Sequence, residues 1–218
     1  MAIIMAIITP IIMDNANRRI AKNTAFMYVR LVSTMVIGLY VSRLALELLG
    51  VSDYGLFAVV GGVLAMFTFI SASLASATSR FFNTEMGKPD GDVNASFNIN
   101  LLLHVALAAC ILVLAETLGL WYVEHHLNVQ AGKEADAVFV FHVSIVTACL
   151  GIMNSPYQSL LAAHERFRFM AVIDIVNSVL RLVCLLLLSL YHGHYALRIY
   201  SIIFALTTAN TFVVYHYV

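Results

Sequence analysis

The chain has 218 residues, 61% of them hydrophobic and 11% charged, with a mean hydropathy of +0.90. A soluble domain covers its surface with roughly a quarter charged residues, so this composition excludes a water-soluble globule and makes lipid the solvent. The 12 basic and 12 acidic residues cancel; in a membrane protein the placement of charge carries the information, not its sum.

A crossing needs about 20 mostly apolar residues. Six segments qualify, near 23–46, 54–79, 97–122, 138–163, 169–190 and 195–217. Residues 1–22 are a leader. Its start, MAIIMAIITPIIM, is apolar but short, contains Pro10, and lacks both a basic n-region and a small-residue cleavage site. That is a poor signal peptide, and Met13 is the expected start of translation. The breaks between segments are short and polar: a turn at 47–55, then 81–98, 123–136, 163–168 and 191–195. Long apolar segments with short polar breaks predict an all-α polytopic bundle. A β-barrel would show ~10-residue alternating strands.

The first segment carries a polar stripe. At ~100° per residue, Asn23, Arg30 and Thr34 fall within about 40° of one another. A stripe of this kind belongs against a bundle interior or a wet cavity. Snorkelling of Arg30 to the near interface is the competing reading. Arg43 is close to the far end with Glu47 at i+4, which fits a helix-end ion pair as well as a functional role. The second segment repeats small residues at Gly61, Ala65, Thr68, Ala72, Ala75 and Ser79. Such seams let helices approach closely, so tight packing is expected, with a seam that slides during transport as the sharper reading.

In the third segment His104 and Glu116 are single polar groups, read as structural. The fourth contains Asn154 and Pro156, and the proline is expected to kink its helix. The fifth places Asp174, Asn177, Ser178 and Arg181 at i, i+3, i+4 and i+7, on one face. Asp174 and Arg181 are ~10 Å apart along the axis, too far for a pair within the helix. Each therefore needs a partner on another helix, or water, or a ligand; a structural interhelical network is the competing reading. Cys110, Cys149 and Cys184 each lie in an apolar segment with no ligand motif around them, and read as small core residues. No phosphate loop, metalloprotease helix or nucleophile–base pairing is present, so neither an enzyme nor a metal site is expected. No exposed basic surface suggests nucleic-acid binding.

Orientation follows from Lys and Arg in the loops. With a cytoplasmic N-terminus, Arg18, Arg19, Lys22, Arg80, Lys88, Arg166 and Arg168 lie inside and Arg43, Lys133 and Arg198 outside. That asymmetry predicts cytoplasmic N- and C-termini. The last segment ends at FVVYHYV with no basic anchor after it, so residues 23–218 are expected to be one lobe of a longer protein, cut short at the C-terminus.

Several stretches carry a resemblance. Residues 19–82, RIAKNTAFMYVRLVSTMVIGLYVSRLALELLGVSDYGLFAVVGGVLAMFTFISASLASATSRFF, resemble the opening of bacterial Wzx-like oligosaccharide flippases. These belong to the multidrug/oligosaccharidyl-lipid/polysaccharide (MOP) exporter superfamily. AETLGLWYVE (115–124) and SPYQSLLAAHERF (155–167) extend the likeness, which covers roughly residues 18–218. The resemblance implies a six-helix transmembrane bundle, one lobe of a MATE/MurJ-like fold of 12–14 helices around a central cavity, in the bacterial inner (cytoplasmic) membrane. It implies transport of a polyprenyl-pyrophosphate-linked oligosaccharide for cell-surface polysaccharide or O-antigen synthesis. Membrane lipid and the missing C-terminal lobe are the implied partners. No cofactor is expected beyond a coupling ion, H+ or Na+. Arg30 and Arg181 are the residues carried over to the pyrophosphate, with Asp174, Asn177, Thr34 and Asn23 beside them and Arg43 and Arg80 as second choices. The chemistry agrees, because a guanidinium offers a planar fork to a dense anion. The alternatives are a cation-coupled multidrug exporter of the same superfamily, which would favour intramembrane acids, and an inactive fragment or membrane scaffold.

Overall fold

The computed structural model describes residues 2–217 apart from 126–128, 130, 131, 192 and 194, and describes side chains apart from those of 2–16, 63–69 and 124. Every described element is helical. The elements are α1 (Ala2–Met86), α2 (Val93–Leu114), a π-helical turn (Ala115–Gly119), α3 (Leu120–His125), α4 (Glu134–Ala163), α5 (Phe167–Leu188) and α6 (Ala196–His216). The all-α expectation holds. Pro10 and Met13 lie outside the described side chains.

Five helical stretches among the described residues are long and apolar enough to cross a membrane: Asn17–Gly62, Val93–Val123, Glu134–Ala163, Phe167–Leu188 and Ala196–His216. Six were expected. The difference arises in α1, which contains both the first and the second predicted segments. The turn expected at 47–55 is a single residue, Gly50, at φ 76° and ψ 170°. That backbone region is essentially glycine's alone. Helix resumes directly after it, so α1 has a first arm (2–49) and a second arm (51–86).

The two arms run in opposite directions. Arg30 meets Asp174 of α5, and further along Val41 and Ala45 pack with Leu185, Leu188 and Tyr200. The first arm is thus parallel to α5. Val60 packs with Val140, Phe141 and Ile145 of α4, while Ser159 Oγ donates to the Ala75 carbonyl at 3.5 Å. The second arm is thus parallel to α4. Because α4 and α5 are joined by a tight turn at residues 164–166, they are antiparallel, and so are the arms. Outward faces carry exposed Val32, Leu39, Leu102, Val113 and Leu187. Such faces suit lipid, where side-chain packing and interhelical hydrogen bonds, not transfer from water, hold helices together.

Local details depart from the sequence reading in four places. First, the seam of the second arm is not tightly packed over its described part. The arm touches α4 at both ends, but Gly61, Ala72 and Ala75 line an opening between, and no atom lies within 4 Å of a Cβ built on Gly61; Ala65 and Thr68 lie outside the described side chains. Second, Pro156 lies inside α4, which stays helical from Glu134 to Ala163. Third, Cys110 is exposed on the outside of α2, while Cys149 and Cys184 are half-buried. Fourth, Glu116 is not single. The π-helical turn presents it to α4, where its Oε2 lies 3.2 Å from His142 Nε2. His104 is fully buried, with Nδ1 bonded to the Asn100 carbonyl at 2.8 Å. The Asn100 side chain in turn accepts from Thr78 at 3.0 Å, tying α2 to α1.

Candidate functional site

The polar face of α5 and the polar stripe of the first arm meet. Arg30 Nε lies 2.5 Å from Asp174 Oδ2, with side chains 31% and 20% exposed. This answers the question of Asp174's partner: it comes from the first arm, not from within α5. The buried Tyr215 hydroxyl lies beside the same carboxylate. Around the pair opens a cleft of about 730 Å³, walled by Arg30, Thr34 and Thr24 on one side and by Asp174, Asn177 and Arg181 on the other. Met27, Tyr28 and Leu31 give it an apolar side.

Arg181 is held differently from Arg30. One Nη donates to Thr207 Oγ1 at 3.2 Å. The guanidinium lies over the Phe204 ring, 4.1 Å from its centroid, a favourable cation–π placement. Its Nε is buried with no partner, and among the described residues no carboxylate pairs with it. Among the described residues Asp174 is the only acid lining the cleft, against two arginines. The cleft therefore carries a surplus of one positive charge.

The remaining predicted residues divide. Asn177 is spent on α6: its Nδ2 donates to Thr211 at 2.9 Å and its Oδ1 accepts from Asn210 at 2.8 Å. It lines the cleft and also clamps α5 to α6. The Thr34 hydroxyl donates to the Arg30 carbonyl at 2.8 Å, so it offers a lone pair and no proton to a ligand. Asn23 is not among the lining residues. It donates to Glu165 at 3.1 Å, beside an Arg19–Glu165 pair at the same distance. Arg43 pairs with Glu47 at 3.0 Å, and Arg80 is exposed in a shallow depression elsewhere on the second arm.

The sequence reading did not single out α6. Yet Thr207, Thr211, Asn210 and Phe204 position both Asn177 and Arg181. The signal was present in TTANT (207–211), a polar run inside an apolar segment with threonines at i and i+4. Arg181 thus shares its wall with Asp174 and lies in the same cleft as a second arginine; a guanidinium is a planar fork suited to carboxylate or phosphate oxygens.

No family model, no curated protein and no solved structure matches this chain.

Proposed function

We propose that this chain is a multi-pass membrane flippase lobe that passes a polyprenyl-pyrophosphate-linked oligosaccharide across a bacterial inner membrane, with the pyrophosphate drawn to Arg181 and Arg30. The observation that carries this reading is the cleft itself, where two arginines face one aspartate. An intramembrane charge surplus is costly and becomes reasonable when an anion neutralises it. The antiparallel arms of α1 support six crossings rather than five. The seven cations placed inside by the sequence fall near the end of the bundle where α1 meets α2 and α4 meets α5, in keeping with cytoplasmic termini. A C-terminal lobe would supply the opposite wall of the cavity. Asp174 is engaged by Arg30, which favours an anionic cargo over the cationic one of a multidrug exporter. H+ or Na+ remains the natural coupling ion.

The test is Arg181→Ala, with Arg181→Lys as the charge-retaining control. In nanodiscs, binding of sugar-free polyprenyl pyrophosphate should weaken roughly thirtyfold for the alanine variant, as expected for a lost charge-assisted contact of about 2 kcal/mol. The lysine variant should lose less, because it keeps the charge and gives up only the fork. Equal affinity in wild type and Arg181→Ala would refute the assignment.

A further inference from the structure

The π-helical turn that follows α2 is seated closely on α4. Ala115 belongs to the buried cluster that includes Val140, Phe141 and Ile145. A Cβ built on Gly119 would come 2.7 Å from the ring of Phe141, which is fully buried. Single π-turns inside α-helices are rare and recur at functional sites. This one presents Glu116, whose Oε2 stands 3.2 Å from His142 Nε2. Neither residue lines the arginine cleft, and neither has a part in the function proposed above.

The protons at this contact can be counted. His142 Nδ1 lies 2.7 Å from the Val138 carbonyl oxygen. A carbonyl oxygen only accepts, so Nδ1 carries the hydrogen. In a neutral imidazole the other nitrogen is then a bare acceptor. Nε2 would therefore meet the Glu116 carboxylate as acceptor against acceptor, unless the pair holds one further proton, on the ring or on the carboxyl. The exposed Trp121 and Tyr122 follow shortly after Glu116. Aromatic residues of this kind mark membrane–water boundaries, so water is near enough to deliver that proton or take it away.

Among the described residues the other charged groups at this end are engaged with one another. Arg43 pairs with Glu47, Asp53 of α1 holds Lys133, and Asp136 of α4 is held by Arg198 of α6. Glu134 accepts from the Gly132 N–H. Tyr54, Tyr122 and Tyr195 are the tyrosines at this end of α1, α3 and α6. Along α2, Cys110 and the buried His104 lie six and twelve residues before Glu116. On α3, His125 bonds the Trp121 carbonyl at 3.0 Å, and it is the one other described imidazole at this end.

We infer that Glu116 and His142 form a proton-binding site that clasps the π-helical end of α2 to α4. With one proton on the pair, a donor meets an acceptor and the clasp is closed. When the proton leaves to water, two acceptors face each other and this end of α2 loosens from α4. An imidazole in water titrates near pH ~6.5. Above that pH the opened pair holds no proton where the closed pair holds one, so opening releases a proton. The ratio of open to closed then rises by up to about tenfold per pH unit: acid closes the clasp and alkali opens it. The inference holds whatever the arginine cleft carries; only its sidedness, outer rather than inner, rests on the orientation given above.

Trp121, the single tryptophan of the chain, lies about a turn and a half past Glu116, so its emission reports this end without a label. His125 stacks on Trp121 at 5.9 Å and would add a titration of its own, so every protein in the experiment carries His125→Gln. The full chain in nanodiscs is titrated from about pH 5 to about pH 9, spanning the range in which imidazole changes charge. The reference protein should show one step in emission, fitted by one proton. Adding Glu116→Gln should remove the step and hold the acid-side signal throughout, because a carboxamide donates to the neutral Nε2 with no further proton. His142→Gln should do the same from the other side, and it carries the test should the first variant fail to fold. Glu116→Ala, with no clasp at any pH, should hold the alkaline-side signal. A reference protein without a step, or a step that persists unchanged in either folded glutamine variant, overturns the clasp.

Discussion

The rim at the Gly50 end of the bundle and the arginine cleft use the same residue types to opposite ends. At the rim each described ion pair matches one cation to one carboxylate: Arg43 to Glu47, Lys133 to Asp53, and Arg198 to Asp136 at 2.5 Å. Two of these pairs tie different elements together, α1 to the segment before α4 and α4 to α6. In the cleft one arginine pairs with the aspartate, and the second arginine makes do with a threonine and a ring. Balanced pairs near water hold ends in place. Under the proposed function, the unbalanced set in the cleft is where the anion of the ligand would make up the deficit.

Three substitutions break or sharpen this contrast. The largest effect is expected from Arg30→Ala, which strands Asp174 in apolar surroundings; unfolding stability should fall by roughly 3 kcal/mol, the scale of a buried pair losing one partner, read as a lower melting temperature in detergent. An unchanged melting point would mean that the pair contributes nothing. Asp174→Asn acts in the other direction on binding. It raises the surplus from one charge to two, and affinity for polyprenyl pyrophosphate should rise about tenfold, a modest share of the Coulomb energy available at short range. Weaker binding would show that Asp174 helps to hold the ligand rather than competing with it. Arg43→Ala should be the smallest, with neither melting temperature nor lipid affinity measurably altered, because its pair is 79% and 58% exposed and such pairs contribute little. A loss of lipid affinity there would erase the distinction between rim and cleft.

Much of this was legible in the sequence, and for identifiable reasons. The apolar segments fixed the class of element because lipid demands long, internally satisfied helices. The i, i+3, i+4, i+7 pattern of Asp174 to Arg181 and the Asn23–Arg30–Thr34 stripe put those residues on single faces, since helical periodicity is local. The Arg43–Glu47 pair was readable for the same reason. What was not legible depends on how helices meet. Nothing in the spacing says that Arg30 reaches Asp174, that Asn23 is taken by Glu165, or that α6 completes the site. The extent of the break at Gly50 was misjudged because polar residues such as Ser52 and Asp53 suggested a loop, whereas the helix needs only one glycine to turn back. The seam at Gly61, Ala72 and Ala75 has the composition of a tight contact, and only the placement of α4 shows that it borders open space.

The Arg30–Asp174 pair has a consequence for how the chain is made. Its two members are 144 residues apart in the sequence, so at typical rates of synthesis Arg30 is made roughly 7–29 s before Asp174. Over that interval Asp174, the carboxylate that Arg30 meets in the folded bundle, has not yet been made. The Arg30–Asp174 contact of the first arm therefore forms only after the fifth helix has been made.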